Sequence, residues 1–331
     1  MSLSSLPPDH PRDTAPTTNR TGKIRNLGLP LIGTVSLSSA PISDTLQVTR
    51  TVPFDAVPLT RRYTLMTDLD LSQIAKSLIA AQNEQAPIAP LTETYPCLTI
   101  EDAYSIQLHQ VRQWLSEGRR VRGHKVGLTS VAMQQQLGVD QPDYGHLTAD
   151  MFHLESMPIP VDRLISPKVE PEIAFVLREP LRGPGVTVAD AISAVDYVLP
   201  ALEIIDSRIK DWKVTIADTI ADNASSAGVV LGGLPVRLDQ VNLRTVGCVV
   251  HQGGQVVGTG AGGAALGSPL NALVWLANTV GPLGITLEAG SVILPGSVTT
   301  AIPVTPGDSV TATFAGIGSV TAQFAHLKDN R

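Results

Sequence analysis

The stretch KVEPEIAFVL, residues 168–177, decides how the rest of the chain is read. Val169, Ile173, Phe175 and Val176 suit a pleated, buried surface, so a β-strand is expected here. Glu170 and Glu172 sit inside it, and side chains at i and i+2 point to the same face of a strand. Two carboxylates therefore lie side by side on an otherwise apolar element. A third acid, Glu203, lies in VLPALEIIDSR (198–208), with Leu202 and Ile204 beside it. Desolvating an unpaired charge is very costly, so buried carboxylates need a partner. Arg or Lys could supply it, protons could be shared, or a cation could be bound. Three oxygen ligands with open positions suit Mg²⁺ or Mn²⁺. The competing reading puts Glu170 and Glu172 on an exposed face, paired with Lys168 and Arg178.

VRGHKVGLTS (121–130) offers the opposite charge. A lysine in a short apolar strand can shift its pKa and serve as acid or base, which makes Lys125 a candidate; an ordinary solvated lysine is the plainer reading. His124 reads first as a structural histidine. QPDYGHLTADM (141–151) places Asp143 in a turn before Tyr144 and Gly145. ADTIADNASSAGVVLGG (217–233) puts Asp222, Asn223, Ser225 and Ser226 just before a strand, as a cap or turn, or as groups facing a substrate. LPGS (294–297) could form a tight loop at a pocket mouth.

Around these segments the pattern is regular. Leu71, Ile74, Ala75, Leu78 and Ile79 follow helical spacing. TIEDAYSIQLHQVRQWLSEG (99–118) has Thr99 as N-cap, Asp102 three residues on, and a stop at Gly118. Further helices are expected between Ser130 and Gly138, over TVADAISAVDYVLP (187–200), and over SPLNALVWLANTVG (268–281), with Ser268 as cap and Pro269 in the first turn. EIAFVL, ALEIID, AGVVLGG, VGCVVHQGGQVVGTG, GSVILPG and SVTATFAGIGSVTAQF read as strands, with a hairpin at Gly253-Gly254. Strands and helices do not alternate strictly, which predicts an α+β fold with mixed or antiparallel sheets. GTGAGGAALG (258–267) lacks the spacing and the following helix of a dinucleotide fingerprint, and reads as a strand end and turn.

Composition narrows the function. The chain has 331 residues, 43% hydrophobic, enough for a sizeable core. Its net charge of −6 gives no electrostatic footprint for nucleic acid or a membrane surface. Cys97 and Cys248 have no metal-ligand spacing and suggest no disulfide framework, so a reducing cytoplasm is expected. Residues 1–65 differ from the rest: they are crowded with Pro, Ser and Thr, and Phe54 and Tyr63 are their only aromatics. They are expected to be disordered or loosely extended, a non-conforming extension ahead of a start at Met66. Within them, NLGLPLIGTVSLSSAPIS (26–43) is a weak match to a secretory signal, because Pro30 and Gly33 interrupt it. A single domain is expected over 66–331.

Taken together, GHKVGLTS, PDYGHL, VEPEIAFVL, ALEIIDSRIKDWK, DTIADNASSAGVVLG and LPGS resemble the 2-keto-4-pentenoate hydratase (2-hydroxypenta-2,4-dienoate hydratase) family, within the fumarylacetoacetate hydrolase superfamily. The resemblance runs from about Met66 to the C-terminus and does not cover residues 1–65. It implies a fumarylacetoacetase C-terminal-like mixed β-roll flanked by helices, with the site at its open end. It implies a divalent metal, Mg²⁺ or Mn²⁺, on Glu170, Glu172 and Glu203. It maps an active-site lysine onto Lys125, a pocket aspartate onto Asp143 and a pocket serine onto Ser225. The implied reaction is hydration of 2-hydroxypenta-2,4-dienoate to 4-hydroxy-2-oxopentanoate, in meta-cleavage degradation of aromatic or steroid compounds. Decarboxylation of 4-oxalocrotonate (2-oxo-3-hexenedioate) is the alternative, for which the sequence displays no dedicated cation to hold the second carboxylate. An acylpyruvate-type hydrolase would need a clear His–Glu dyad, and a non-catalytic partner would not need the intact acids and lysine. The family also implies a homo-oligomer and association with downstream aldolase-pathway enzymes.

Overall fold

A computed structural model describes residues 69–327, so the extension expected over 1–65 and the start expected at Met66 lie outside the described residues. The helices are α1 Leu71–Glu84, α2 Leu91–Thr94, α3 Ile100–Ser116, α4 Val131–Leu137, α5 Val188–Ala194, α6 Ile216–Ala221 and α7 Pro269–Val280. The strands are β1 Val121–Gly127, β2 Asp143–Thr148, β3 Phe152–His153, β4 Pro158–Ile159, β5 Lys168–Leu177, β6 Val195–Ile205, β7 Ser226–Leu231, β8 Gly247–Gln252, β9 Gln255–Ala261, β10 Val292–Leu294, β11 Ile302–Pro303, β12 Ser309–Phe314 and β13 Gly318–Phe324.

Local chemistry explains most boundaries. Thr99 and Asp102 form the expected capping box on α3: the Asp102 N–H donates to Thr99 Oγ1 and the Thr99 N–H donates to Asp102 Oδ2, both at 3.1 Å. Ser130 caps α4, and Gly138 ends it in the left-handed region. Gly253 and Gly254, at φ 56° and 79°, make the two-residue turn between β8 and β9. Ser268 precedes α7 as expected, yet its side chain makes no capping bond. The helix expected over 187–200 stops at Ala194, and the chain enters β6 at Val195. Val195, Tyr197 and Val198 favour a strand, and the backbone of Pro200 faces away from β5: the Gly232 N–H donates to its carbonyl. Asp143 likewise begins β2 instead of sitting in a turn.

Two mixed sheets result. The larger runs β2-β1-β10-β5-β6-β7-β3, with β11 also paired to β5; the smaller runs β4-β13-β12-β8-β9. This is the expected α+β roll flanked by helices. One face of β5 and β6, with Ile173, Phe175, Leu202 and Ile204, joins a core shared with the smaller sheet (Val250, Val310, Phe314) and with α7. The opposite face carries Ala174, Ala201, Val229 and Leu294 in a smaller apolar cluster, and beyond it the acidic residues. Helices α1, α3 and α6 pack together around Leu78, Ile106 and Ile220, and Tyr104 links this cluster to the main core. Both cysteines are free. No described helix is long and apolar enough to cross a membrane.

Phe175 is fully buried on the core face, away from the carboxylates. Phe175→Ala is expected to cost about 3–5 kcal/mol in urea unfolding. An unchanged midpoint would show that this core does not carry the sheet.

Candidate metal centre

Antiparallel pairing of β5 and β6 sets Glu170 directly opposite Glu203, and Glu172 opposite Ala201. Alternation along each strand then puts all three carboxylates on one face. Ligand oxygens from the three lie within 4.8 Å of one another. Glu172 and Glu203 are completely buried and Glu170 is half-buried. The Gly296 N–H donates to Glu172 Oε2 at 2.7 Å. Gly296 can do this because its φ of 114° and its packing against Thr129, where a Cβ would collide, both demand glycine. Glu172 Oε1 and both oxygens of Glu203 have no hydrogen-bond partner. Lys125 Nζ lies 3.4 Å from Glu203 Oε1, an ion-pair distance without hydrogen-bond alignment.

Electrostatics follow from this crowding. Burial pushes all three carboxyl pKa values up. Repulsion from Glu203 and Glu170 adds to the rise at Glu172, and Glu203 reaches about 7 although Lys125 pulls it back. Burial works against the Lys125 ammonium, but Glu203, Asp143, Glu170 and Glu172 outweigh it and hold its pKa above the ordinary value. One lysine cannot neutralise three acids. Orphaned buried oxygens from three carboxylates are the donor set that a hard divalent cation prefers. The exposed-face alternative fails, since neither Lys168 nor Arg178 forms an ion pair with Glu170 or Glu172. Lys168 Nζ sits 4.0 Å over the Trp212 ring, and Arg178 pairs with Glu179 at 3.7 Å.

Glu170 brings the trio to the edge of a cavity of ≈ 360 Å³, whose lining also includes Lys125, Asp143, Thr219, Ser225 and Lys168. Lys125 pairs with Gly145, and Gly127 with Asp143, across β1 and β2, so the lysine and the aspartate share a face. Asp143 rests on Gly127, where a Cβ would strike Oδ1. Thr219 Oγ1 donates to Asp143 Oδ2 at 2.8 Å, while Oδ1 has no partner. Burial raises the Asp143 pKa, against the pull of Lys125. Ser225 lies in a buried turn, its Oγ 3.5 Å from Asp222 Oδ2. LPGS reaches the cavity through Ser297, as the expected loop at its edge. His124 points to the other face, where burial and its neighbour His146 keep it neutral; its ring centroid is 4.9 Å from that of His146.

Sequence reasoning names six candidates, Lys125, Asp143, Glu170, Glu172, Glu203 and Ser225, that the fold sets close together. It misses Thr219, whose only signal is a threonine on a short helix, and the lining role of Lys168 and Trp212. It also misses Arg208, fully enclosed and gripping Asp222 through Nε and Nη2 beneath the Ser225 turn.

The Fumarylacetoacetate (FAA) hydrolase C-terminal family model matches residues 122–325. A protein of Paraburkholderia xenovorans (strain LB400) named 2-keto-4-pentenoate hydratase is 47% identical over 259 residues, 78% of this chain and 96% of its own length. An Escherichia coli protein named 2-oxo-hept-4-ene-1,7-dioate hydratase is 42% identical over 257 residues, 76% of this chain and 96% of its own. Among solved structures, 4-oxalocrotonate decarboxylase from Pseudomonas putida G7, complexed with magnesium and adipate, superposes with a TM-score of 0.75 at 39% identity, covering 77% of this chain and 97% of that one. An acidic trio and its lysine on a mixed roll thus coincide with relatives aligned over nearly their full length, and the chain belongs to the 2-keto-4-pentenoate hydratase family of the fumarylacetoacetate hydrolase superfamily.

Proposed function

We propose that this protein is a divalent-metal-dependent hydro-lyase that converts 2-hydroxypenta-2,4-dienoate to 4-hydroxy-2-oxopentanoate. The observation that carries the reading is the buried trio with unsatisfied oxygens, set beside Lys125 and Asp143 at a cavity sized for a small acid. The hydratase names of relatives at 42–48% identity support the reaction class. Glu170, Glu172 and Glu203 would hold the ion, Mg²⁺ or Mn²⁺. When bound, it supplies Lewis-acid polarisation of the substrate's C2 oxygen.

The chain's own groups handle binding and protons. Ser225 donates a hydrogen bond to the substrate carboxylate. Asp143 is the proton acceptor, because Oδ1 is unpartnered and burial raises its basicity. Lys125, held protonated at rest by the surrounding carboxylates, is the proton donor of the pair. The enol proton leaves O2 and C5 gains a proton, giving 2-oxopent-3-enoate. Water oxygen then adds at C4, one water proton is released and C3 gains one, so the net change is addition of one water.

A second reading, decarboxylation of 2-oxo-3-hexenedioate, draws on Lys168. Its ammonium is half-buried in the cavity wall over Trp212 and forms no ion pair among the described residues, so it could meet a second carboxylate. Loss of the dienol ultraviolet band with Mg²⁺, abolished by EDTA, is the expected result for the hydratase. Rapid CO₂ release from the dicarboxylate, with the dienoate unchanged, would transfer the assignment to the decarboxylase.

Asp143→Asn is expected to lower kcat at least about 100-fold while leaving Mg²⁺ affinity near wild type. Glu203→Gln should instead weaken Mg²⁺ binding in calorimetry by at least about tenfold; full metal-dependent activity in that variant would remove Glu203 from the ligand set. The raised carboxyl values also set a pH dependence. Between an unfolded carboxyl near 4.3 and the folded value of about 7 at Glu203, the folded state binds the extra proton, so metal-free stability falls as pH rises through that window. Metal needs those carboxyls ionised, so its stabilisation grows with pH. The rise in Tm on adding Mg²⁺ should therefore be larger at about pH 8 than at about pH 6; the reverse order would rule out proton competition at the trio.

A further inference from the structure

Asn223 has no role in the chemistry above, yet its carboxamide is fully buried and joins two walls of the cavity. Strand β2 ends the larger sheet, so the backbone groups on its outer side have no strand neighbour. Asn223 takes that place. The His146 N–H donates to Asn223 Oδ1 at 2.8 Å, and Asn223 Nδ2 donates to the His146 carbonyl at 2.9 Å. A carboxamide carries both an acceptor and donors, so it can satisfy both backbone groups of one residue as a paired strand would.

The backbone around Asn223 is equally constrained. Asn223, Ala224 and Ser225 are three successive left-handed residues, with φ 51°, 51° and 57°. That conformation is unfavourable for non-glycine residues and persists where the surroundings over-determine it. Here Ser226 Oγ donates to the Asn223 carbonyl at 2.9 Å, the Ser225 N–H donates to the Asp222 carbonyl at 2.9 Å, and the Asp206 N–H donates to the Ser225 carbonyl at 2.9 Å. The turn rests directly on β2, because a Cβ at Gly145 would strike the Asn223 carbonyl and Ser226 Oγ. At one end of this assembly β2 carries Asp143; at the other the turn delivers Ser225 to the same cavity.

We infer that Asn223 is a positioning residue whose side chain fixes the spacing across the cavity between Asp143 on β2 and Ser225 in the turn. The roles of those two groups rest on the hydratase reading. Neither side-chain hydrogen bond of Asn223 involves β5 or β6, which carry the acidic trio, so metal binding and proton transfer separate in the test.

The full-length protein serves for the test, with two variants. Asn223→Gly accepts the left-handed turn and removes the amide. Asn223→Asp keeps the size and the acceptor but sets a second oxygen against the His146 carbonyl. Both are expected to lower kcat for 2-hydroxypenta-2,4-dienoate on the order of 10- to 100-fold, with KM moving less than about threefold. Mg²⁺ affinity and stoichiometry in calorimetry should stay within about twofold of wild type, as for a scaffold left intact. If Asn223→Gly does not fold, Asn223→Asp alone carries the comparison. A kcat near wild type in the folded variants overturns the inference, and so does a joint fall of kcat and Mg²⁺ stoichiometry, which marks general loss of structure. A wild-type protein that leaves the dienoate unchanged overturns the functional reading instead.

Discussion

Repulsion among three buried carboxylates is the constraint on which the rest of the structure depends. Two unit charges within 4.8 Å repel by about 3–4 kcal/mol at an effective dielectric of 20. Fully ionised, three such pairs would sum to a sizeable share of the roughly 5–15 kcal/mol that holds an ordinary domain together, and the raised carboxyl pKa values relieve part of that repulsion by proton uptake. Burial of Glu172 and Glu203 adds desolvation. Lys125 and the Gly296 N–H offset part of this, and neither reaches the orphaned oxygens of Glu203 with a hydrogen bond. Such an arrangement opposes folding of the bare chain and is stabilised by anything that brings two positive charges. Stability and function are therefore set against each other at one place, and the surrounding sheet has to supply the difference.

The sheet supplies it through its other face. Ile173 and Phe175 alternate with Glu172 and Ala174 along β5, so the face that bears the acids is backed by residues that anchor the strand in the main core. The register that sets Glu170 opposite Glu203 is the same register that sets Ile173 opposite Pro200 and Phe175 opposite Val198. A slip by one residue would bury the carboxylates in the core and expose the anchors, which is why the geometry of the trio is as well specified as the core itself.

How legible this was depends on whether the information is local. Thr99 with Asp102, Ser130 with Gly138 and Gly253-Gly254 are signals that span a few residues, and each gives the expected boundary or turn. The E-x-E pair is also local, because i and i+2 on a strand need no tertiary information to share a face. Residues 195–200 mislead because Pro200 looks like a helix stop, whereas tertiary pairing with β5 makes it a strand residue whose backbone faces the other way. The pairing of Arg208 with Asp222 is invisible for a related reason: only the folded turn brings the two together, and Asp222 taken alone reads as a cap, a turn residue or a substrate-facing group. Lys168 was legible as a charge beside Glu170 and illegible as a cavity wall, since its position over Trp212 depends on a loop from another part of the chain.

The two walls of the cavity solve the same problem by different means. The acidic wall is built on β5 and β6 in the interior of the larger sheet, where strands on both sides hold the backbone. The wall that carries Asp143 includes β2, an edge strand, and an edge is where a sheet frays most readily. Two buried carboxamides compensate: Asn223 bonds both backbone groups of His146, and Gln107 Nε2 donates to the Tyr144 carbonyl at 2.9 Å. Gln107 Nε2 also donates to the Ile220 carbonyl, and Gln110 Nε2 to that of Ala221, which ties α3 to the end of α6, the helix that holds Thr219 against Asp143. Side chains thus take over the work of the missing strand, and the aspartate keeps a fixed position opposite an acidic wall held mainly by the sheet.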